Sequence, residues 1–488
     1  MLNPYWQSEF HPFLAALAAL ARENSIGVWL CGGGARTLAS GLLPAPIAPN
    51  ANTDIDITVS RQSLALARDL GERCKLKCVI LNDNILPTAR LILPQGQMDI
   101  TQWRGQNLEA DLSGRDFTCN ALALEMASLL RGPEISLRDI IDPLGGLAHI
   151  QARRLVLAGP HALRDDPVRI MRAFRFQAEL NFTLAPGLLA AARTALPCLA
   201  AAAAERLAQE WRLTMRAAAA QSLADMDEIG LLALLLPGWD ECRGFRQNPY
   251  HHLDVLGHSL ACVSALEEIT GQSRSEELVA QALAQADPAL LKTAALLHDI
   301  GKPPTARPKS PDWNSFYNHD KVGAILARSA CLNLGLGPRE ADAVSRLVSG
   351  HMEPQHLLKA SLSHPDLRPR HIRRFLYRHE HEAYALMLLA QADNMAGKGP
   401  RRPDNLEEMF WDLWLDVKAL ADACPPPPPL LNGRQVMAAC SLPPGPEVGR
   451  LLRLLRDYQL REDLNSPDLA LSLIKKWACR PDQTQHSY

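Results

Sequence analysis

Strand-like and helical patterns are unevenly distributed along this chain of 488 residues. Five short apolar runs typical of strands, IGVWLCGG, TDIDITVS, KCVIL, ARLILP and MDITQW, lie within about the first 150 residues and alternate with helix-like stretches. Beyond them the 3.6-residue period of helices prevails, and a chain of this length needs several hydrophobic cores. The sequence therefore predicts an α+β protein with a mixed head followed by mostly helical domains.

Composition suggests where the domains begin and end. An alanine-rich stretch, LAAAAAERLAQEW, indicates close-packed helices, and a later block carries most of the histidines. Five consecutive prolines then exclude helix and indicate a stiff spacer before an amphipathic helix, PEVGRLLRLLRDYQLRED, with a basic side. We predict a head at residues 1–150, a helical neck at 151–244, a histidine-bearing domain at 245–423 and a proline-rich spacer with a helical tail at 424–488.

Several classes of protein are disfavoured by composition. No apolar run reaches the ~18 residues of a membrane span, and MLNPYWQSEF lacks the charged start and apolar stretch of a signal peptide, so we expect a cytoplasmic protein without membrane contact. The 11 cysteines contain no CxxC pair, which argues against a zinc ribbon or a disulfide framework. A net charge of −2 gives no global attraction to nucleic acid, although a local basic patch remains compatible with it. The sequence does not specify an oligomeric state.

Asp54 and Asp56 in TDIDITVS would project from the same face of a strand. Like carboxylates in that arrangement repel each other unless a cation lies between them. Mg²⁺ binds a few carboxylates together with phosphate oxygens and waters. The pair therefore predicts a magnesium site, and the alternative is an exposed strand face that carries two acids by chance.

A glycine-rich turn, LCGGGARTLASG, precedes the two aspartates. Gly32, Gly33 and Gly34 follow a strand and precede a helix, so their backbone N–H groups can approach phosphates, and Arg36 can add charge-assisted hydrogen bonds. Together with the aspartates this predicts a site for a metal-bound triphosphate, in which two metals would organise in-line nucleotidyl transfer. Asp99 in MDITQW is a candidate third carboxylate if its strand is adjacent.

With further motifs, the sequence resembles the class II tRNA nucleotidyltransferase and bacterial poly(A) polymerase family. The resemblance covers roughly residues 25 to 215. It implies a polymerase-β-like nucleotidyltransferase head followed by a helical neck. Its motifs, in the order of the family, are GGGAR, DID, GRDFTCNALAL (114–124), DPLGG (142–146), LRDDPVRIMRAFRF (163–176) and ERLAQE (205–210).

The resemblance also implies roles for individual residues. An aspartate supplies acceptors and an arginine supplies forked donors, so a pair of them can hydrogen-bond a base edge. The alternative for RDDPVRIMRAFRF is a solvated helix with ion pairs one turn apart. The implied roles are Mg²⁺ binding by Asp54 and Asp56, nucleotide binding by Gly33, Arg36, Arg115 and Asp116, and base reading by Asp166 and Arg169 with Arg172 nearby.

Two features depart from the family pattern. Thr37 follows the arginine of the glycine turn, where the family usually has an aspartate. The proline-rich stretch Leu42–Thr53 is longer than usual. Neither difference changes the pair Asp54 and Asp56. Both could alter the rate of nucleotide transfer and the preference among substrates.

The histidine-bearing block contains a second constellation. His258 in DVLGHSL, His298 and Asp299 in LLHDIGKP and Asp393 in LAQADNMA follow the order of the HD phosphohydrolase family, which this block resembles. The resemblance implies a divalent metal, Mg²⁺, Mn²⁺ or Ni²⁺, and hydrolysis of phosphate esters; these N and O ligands suit such an ion. Larger HD enzymes add ligands for a second metal at the positions of His319 and His351. The basic LRPRHIRRFLYRHEH is either a solvated helix face or a contact for RNA phosphates.

We therefore predict a template-independent enzyme that adds CCA to tRNA 3′ ends from CTP and ATP with Mg²⁺. A poly(A) polymerase or an enzyme that adds only A shares the head motifs, and tRNA or another RNA 3′ end is the expected partner. From another class, the chain could be an HD phosphohydrolase whose disabled head binds RNA, or a nucleotide-binding regulator without catalysis. The intact Asp54, Asp56, Arg115 and Arg169 argue against a disabled head.

Overall fold

The computed structural model describes residues 4–5, 8–44, 54–271, 276–310, 313–423, 428–461 and 464–478. Residues 45–53 of the proline-rich stretch and residues 424–427 of the predicted spacer lie outside the described part. The chain forms two compact units, Met1–Leu234 and Leu235–Tyr488. Within the described residues, no helix has both the length and the apolar character needed to cross a membrane.

The first unit is built on a seven-stranded mixed sheet. The five runs predicted as strands coincide with β1 to β5, whereas β6 and β7 are too short to show an alternating pattern. The strands are β1 (Val28–Cys31), β2 (Asp54–Val59), β3 (Lys77–Asn82), β4 (Thr88–Leu93), β5 (Gly96–Gln102), β6 (Ala123–Glu125) and β7 (Ile140–Ile141). They lie in the order β3-β4-β5-β2-β1-β6-β7, and the β2–β5 pair is parallel.

The described helices that accompany this sheet are α1 (His11–Glu23), α2 (Gly32–Gly41), α3 (Ser63–Cys74), α4 (Leu108–Ser113), α5 (Met126–Leu129) and α6 (Gly146–Gln151). Leu14 and Leu17 of α1 share one core with Ile55 and Ile57 of β2. Side chains alternate along a strand. Because these two isoleucines are buried on one face of the sheet, Asp54 and Asp56 point to the other face.

The rest of the first unit is helical: α7 (Ala162–Asp165), α8 (Val168–Leu180), α9 (Pro186–Ala195), α10 (Ala204–Arg216), α11 (Ala220–Glu228) and α12 (Leu231–Leu235). Two short parallel strands, β8 (Arg154–Leu155) and β9 (Thr183–Leu184), flank α7 and α8 in the sequence. Helices α8 and α10 pack against each other and bury Phe174 and Trp211. Helices α7 to α12 thus lie in the part of the chain where the 3.6-residue period of apolar residues predicted helices.

The second unit contains α13 (Val255–Gly271), α14 (Glu276–Gln285), α15 (Pro288–Leu297), α16 (Lys302–Thr305), α17 (His319–Asn333), α18 (Pro338–Gly350), α19 (Glu353–Ser363), α20 (Arg368–Arg378), α21 (Ala383–Ala396) and α22 (Leu406–Ala423). Helix α21 is buried along most of its length and packs against α13, α14 and α22. A hairpin of β10 (Arg307–Ser310) and β11 (Trp313–Ser315) interrupts the helices, although the sequence pattern predicted only helix here.

The tail of the second unit has its own small core. It consists of α23 (Gly433–Cys440), α24 (Pro446–Arg461) and α25 (Pro467–Ala478). Val436, Leu451, Leu455 and Ile474 pack together between these helices. The predicted amphipathic helix of the tail corresponds to α24.

Candidate active site and metal centre

Asp54 and Asp56 lie on β2 and line a cleft of about 1220 Å³ in the first unit. Burial raises the pKa of Asp56, and the neighbouring charges of Asp99 and Asp54 raise it further, while Arg115 and the N–H of Gly33 act in the opposite direction. The carboxylates therefore repel each other in the folded chain. A cation between them would relieve that repulsion.

The glycine-rich turn fits closely around Asp56. Gly32 has a φ of +60°, and a Cβ atom there would lie 2.4 Å from Oδ2 of Asp56. Only glycine adopts this conformation without strain, and no side chain fits in the space. Gly33 lines the cleft and donates its backbone N–H to Asp56. The turn therefore positions the carboxylate of Asp56 and also leaves the cleft open. This role of the turn in positioning Asp56 was not predicted from the sequence.

Arg36 lines the same cleft and is buried. Its guanidinium donates a hydrogen bond to Oδ1 of Asn120 and lies over the ring of Phe176, 5.1 Å from the centroid. Asn120 in turn donates to Oδ1 of Asp116 at 3.0 Å. Asn120 belongs to the GRDFTCNALAL motif, but its partner lies 84 residues away and could not be inferred from spacing.

Arg115 also lines the cleft and is oriented from two sides. Its Nη2 donates to Oγ1 of Thr58 at 2.8 Å and to Oδ2 of Asp111 at 3.2 Å. Asp111 is almost fully buried and also binds Arg104, another residue of the cleft lining. Arg115 is therefore presented in a fixed orientation next to β2, where it can contact an anionic ligand.

Asp116 and Arg172 connect the head to the helices that follow. Burial would raise the pKa of Asp116, but the Arg172 guanidinium at 3.2 Å and further hydrogen bonds hold it below its ordinary value. Arg172 also donates to Oε1 of Glu210 on α10 at 2.9 Å, and Oε2 of Glu210 lies 3.3 Å from Arg175. Because the Asp116 carboxylate already binds protein groups, its contacts here fix the position of Arg172.

The predicted base-reading pair is only partly assembled. Arg169 lines the cleft, and its guanidinium donates to the carbonyl oxygens of Gly114, Arg115 and Ala162. Its Nε is buried without a hydrogen-bond partner among the described residues. The Asp166 carboxylate instead binds Arg206 of α10, at 2.7 Å and 3.1 Å, and lies outside the cleft lining. Among the described contacts, the Asp166 and Arg169 side chains therefore form no hydrogen bond with each other.

Asp99 lies where the strand order predicts. Strand β5 runs parallel to β2, with Asp99 in register with Asp56. However, both oxygens of its carboxylate accept hydrogen bonds from Arg90 at 2.8 Å, and Asp99 is outside the cleft lining. A third metal ligand at Asp99 stays a prediction, and such a ligand would have to share its oxygens with Arg90.

The charge of the cleft favours a polyanion. Its lining includes seven arginines and four carboxylates, with Thr37 at the position where an aspartate was expected. A concave surface with this excess of positive charge attracts phosphate groups even though the whole chain carries a net charge of −2. The arginines are Arg36, Arg104, Arg115, Arg169, Arg172, Arg175 and Arg216, and the acids are Asp54, Asp56, Asp116 and Glu179.

The second unit contains a buried cluster of the six histidines and aspartates singled out in the sequence. The ligands come from helices α13, α17 and α21 and from the residues directly after α15 and α18. Two groups have mutually close ligand atoms: His258, His298 and Asp393, and Asp299, His319 and His351. All six residues thus meet in one place, in an arrangement that could hold two metal ions.

Asp299 lies between the two groups. Its Oδ2 is 3.2 Å from Nε2 of His298 and 3.6 Å from Nε2 of His258. Its Oδ1 is 3.5 Å from Nε2 of His319 and 3.8 Å from Nε2 of His351. One carboxylate therefore faces both groups with separate oxygens, which is the geometry of a bridging ligand.

The histidine rings are oriented for ligation. In His298, His319 and His351 the Nδ1 atom lies 2.7–2.8 Å from the carbonyl oxygen three residues earlier. Such a bond holds a proton on Nδ1 and directs Nε2 towards a metal position. The Nε2 atoms of His319 and His351 lie 3.2 Å apart. Burial lowers the pKa of His298, but Asp299 and Asp393 outweigh burial and raise it to about 10. The carboxylates thus attract a cation into the cluster, which is the chemistry expected of a metal site.

Two neighbours of the cluster were not singled out in the sequence. A Cβ atom on Gly301 would lie 2.1 Å from the carbonyl oxygen of His319, so the turn after Asp299 and the start of α17 touch backbone to backbone. Lys302 is buried, and its Nζ donates to Oδ2 of Asp299 at 2.5 Å and to Gln247 at 2.6 Å. Both residues belong to the LLHDIGKP motif, whose glycine and lysine could have indicated these contacts.

Sequence models of three protein families match the chain in order. They are the poly A polymerase head domain at residues 28–156, the probable RNA and SrmB-binding site of polymerase A at 181–243, and the HD domain at 255–395. The first match contains Asp54, Asp56 and Arg115, and the third contains the buried cluster of the second unit.

Comparison with individual proteins agrees with these matches. The chain is 34% identical over 381 residues to the A-adding tRNA nucleotidyltransferase of Deinococcus radiodurans, covering 76% of this chain and 80% of the relative. It is 30% identical over 403 residues to the CC-adding tRNA nucleotidyltransferase of Thermus thermophilus, covering 80% and 81%. A solved CCA-adding enzyme of Thermotoga maritima, complexed with tRNA, shares the fold with a TM-score of 0.55 and 18% identity, covering 95% of this chain and 94% of that one. The chain therefore belongs to the tRNA nucleotidyltransferase family and is a nucleotidyltransferase with a poly(A)-polymerase-type head and an HD domain.

Proposed function

We propose that this nucleotidyltransferase adds C, C and A to tRNA 3′ ends from CTP and ATP. The observation that carries the proposal is the cleft that Asp54 and Asp56 line together with seven arginines. The A-adding relative of Deinococcus radiodurans and the CC-adding relative of Thermus thermophilus are each matched over about four fifths of their length, which supports the use of both nucleotides. The proposed tRNA substrate also favours a cytoplasmic site of action.

The carboxylates and the arginines of the cleft would have different roles. Asp54 and Asp56 would hold Mg²⁺, which supplies Lewis acidity to the RNA 3′ hydroxyl and neutralises the triphosphate when bound. Arg36 and Arg115 provide forked donors for phosphate oxygens, and their orientation by Asn120, Thr58 and Asp111 reduces the entropy lost on binding. The 3′ hydroxyl oxygen would attack the α-phosphorus and release its proton to solvent, and the bond from the α-phosphorus to the bridging oxygen of the β-phosphate would break, so that pyrophosphate leaves.

Nucleotide choice would depend on Asp166 and Arg169. Both side chains must turn from protein partners to a base edge, because Asp166 binds Arg206 and Arg169 binds three carbonyl groups. A fixed donor and acceptor pair would accept CTP and ATP and leave buried polar groups unpaired against UTP and GTP, at about 1–3 kcal/mol for each group.

Addition of A alone is the second candidate. It is favoured by the A-adding relative, which is 34% identical over 80% of its length. The deciding experiment incubates tRNA without CCA, tRNA ending in CC and unstructured RNA with each labelled nucleotide and Mg²⁺. Addition of C to the shortest tRNA together with addition of A to the tRNA ending in CC supports CCA addition. A single A on tRNA ending in CC without any C addition, or long A tails on unstructured RNA, would overturn it.

We further propose that the cluster of the second unit is a phosphohydrolase centre. His258, His298, Asp299 and Asp393 would hold one divalent ion, Mg²⁺, Mn²⁺ or Ni²⁺, and His319, His351 and Asp299 would hold a second. The bridging geometry of Asp299 and the orientation of the histidine rings by their Nδ1 bonds support this proposal. Metal analysis of purified protein, with release of phosphate from simple esters, tests it. A metal-free protein that cannot be loaded would overturn it.

The reading in which the head is disabled loses support, because the head retains its carboxylates and arginines in one cleft. We keep the four segments 1–150, 151–244, 245–423 and 424–488 as a proposal for how these activities are arranged along the chain. The family matches at 28–156, 181–243 and 255–395 are compatible with these segments apart from a six-residue overlap at 151–156.

A further inference from the structure

The hairpin formed by β10 and β11 is inserted between two metal-ligand candidates, Asp299 and His319. Among the described residues its two strands pair only with each other: Arg307 lies opposite Ser315 and Ser310 opposite Trp313, with a register shift between Pro308 and Ser310. A two-stranded ribbon of this size is marginally stable on its own, and it adds little to the core of the unit. Stabilisation of the unit therefore does not explain why the hairpin lies beside the cluster.

The end of the hairpin is tied to the cluster by Phe316. The carbonyl oxygen of Phe316 accepts the hydrogen bond from Nδ1 of His319 at 2.7 Å. Its buried ring lies 5.7 Å from Nζ of Lys302, which binds Asp299, and 6.4 Å from the ring of Phe245. The residue that anchors the hairpin thus also orients one ligand of the cluster, so the hairpin stands at the edge of the buried site.

The hairpin exposes Arg307, Pro308 and Lys309, and two aromatic rings that are not buried lie in it or just after it. Tyr317, directly before the turn into α17, is 70% exposed. Trp313 is half-buried, and Nζ of Lys309 lies over its ring at 5.1 Å from the centroid. Arg307 and Lys309 are exposed and form no ion pair with an acidic residue in the described part of the chain. Aromatic rings next to cations that form no ion pair among the described residues are the surface chemistry that binds unstacked nucleotides.

We propose that four described residues in and next to this hairpin recognise the nucleotide whose phosphate ester is cleaved at the Asp299 cluster: Arg307, Lys309, Trp313 and Tyr317. The base would stack on the Tyr317 or Trp313 ring, and Arg307 and Lys309 would contact phosphates. The inference rests on the proposed phosphohydrolase function. The ligand is a nucleoside phosphate, either a free mononucleotide or the phosphorylated end of a single-stranded RNA.

The reaction at the cluster is hydrolysis of a phosphomonoester. Water attacks phosphorus, the bond from phosphorus to the nucleoside oxygen breaks, and that oxygen takes a proton from the attacking water. The products are the nucleoside and inorganic phosphate, so no further reactant is needed. The hairpin takes no part in these bonds and acts only by holding the base.

The test compares two esters that differ by the base, adenosine 5′-monophosphate and ribose 5-phosphate, in the full-length protein with Mn²⁺. Tyr317→Leu should raise KM for the adenosine ester about tenfold and leave its kcat within about twofold, because base stacking on an aromatic ring is lost. The KM for ribose 5-phosphate should not change. Tyr317→Phe keeps the ring and should restore the KM, and Ile325→Ala, exposed on α17, serves as the surface control.

Equal changes for both esters, or no change for either, would overturn the inference. The cations are tested with the double variant Arg307→Gln and Lys309→Gln on a hexaadenylate with a 5′-terminal phosphate. If RNA ends are the ligand, this variant should weaken binding of the hexaadenylate more than that of the mononucleotide and flatten its salt dependence. Equal effects on both would assign the free mononucleotide instead.

Failure of the proposed function is recognised separately. If wild-type protein releases no phosphate from any of these esters, the phosphohydrolase proposal is wrong, and equilibrium dialysis of labelled adenosine 5′-monophosphate then tests recognition alone. The first unit is identical in Tyr317→Phe and Tyr317→Leu, so a difference in binding between them belongs to the hairpin. Binding about tenfold tighter in Tyr317→Phe supports base recognition, and equal binding overturns it.

Discussion

Both oxygens of the Asp166 carboxylate accept hydrogen bonds from Arg206, at 3.1 and 2.7 Å. Asp166 lies just before α8 and Arg206 lies on α10, so the ion pair joins two segments of the first unit. A carboxylate held in this way offers few acceptors to a base. A nucleotide that is read by Asp166 must therefore compete with Arg206, which connects base selection to the packing of α8 and α10.

We expect Arg206→Gln to lower KM for CTP and ATP by about two- to fivefold, because a half-exposed ion pair contributes up to about 1 kcal/mol. Steady-state addition to tRNA measures this, with Arg193→Gln as the control, since Arg193 forms an exposed ion pair with Glu228. A rise in KM would show instead that Arg206 holds Asp166 in its reading position.

Arg169→Lys should blur the choice of nucleotide. Lysine keeps the charge but loses the planar fork, so base reading suffers more than attraction of the triphosphate. We expect incorporation of UTP and GTP to rise roughly ten- to a hundredfold relative to CTP and ATP, with little change in KM for ATP. Melting curves are needed alongside, because Arg169 also binds three backbone carbonyls. Unchanged selectivity in a folded variant would remove Arg169 from base selection.

Asp56→Asn should abolish nucleotide addition and raise stability at neutral pH. Burial raises the pKa of Asp56, so the folded chain binds this proton more tightly than the unfolded chain, and stability is lost as pH rises through the folded pKa. Asparagine carries no charge at any pH. The gain in melting temperature should therefore be present at pH 7 and vanish below about pH 3.9, the ordinary pKa of aspartate.

The same Asp56→Asn variant distinguishes catalysis from stability. Near-normal addition would show that the two aspartates are not the metal site, whatever the melting temperature. A melting temperature below that of the wild type at pH 7, with activity lost, would show that Asp56 is needed for folding and that its charge is already compensated. Asp54→Asn should also lose addition, as its carboxylate lines the same cleft.

Gly32→Ala should be far more damaging than Gly33→Ala. The new Cβ would meet Oδ2 of Asp56 at 2.4 Å in a left-handed backbone conformation, whereas at Gly33 its nearest neighbour is Arg36 Nη2 at 3.7 Å. We expect Gly32→Ala to cost at least about 1 kcal/mol of stability and most of the addition activity. Gly33→Ala keeps its N–H and should retain both. Loss of activity in Gly33→Ala with normal stability would show that phosphates approach its Cα closely.

The sequence predicted the elements that follow a local period. Strands β1 to β5 and the face shared by Asp54 and Asp56 follow from alternation of apolar residues. Strands β6 and β7, with three and two residues, are too short to show alternation, and the β10–β11 hairpin has no apolar face to reveal it. The six residues of the HD cluster were found through motif order, since ligation demands specific residue types even where ligands are far apart in the chain.

Partners of the site residues could not be predicted in the same way. Asn120 reaches Arg36 and Arg206 reaches Asp166 only because helices and strands distant in sequence pack together. Neither contact leaves a trace in spacing or composition, because any polar residue on the facing surface satisfies the local pattern. The close contact at Gly301 is an intermediate case: glycine within a metal-binding motif indicates a close approach, but not to which backbone.

The two units should carry independent chemistry, and the cluster of the second unit allows a sharp test. His298→Ala with Asp299→Ala removes one ligand of the first group and the bridging carboxylate, so metal binding and phosphohydrolysis should be lost while tRNA nucleotide addition is retained.

Gly301→Ala should have the same effect without removing a ligand, because its Cβ would displace the start of α17 and with it His319. Gly271→Ala is the matched control, because no described atom lies within 4 Å of the added Cβ. Metal content, phosphate release and tRNA extension are measured on each protein, and loss of tRNA extension in a folded Gly301→Ala variant would show that the two chemistries depend on each other.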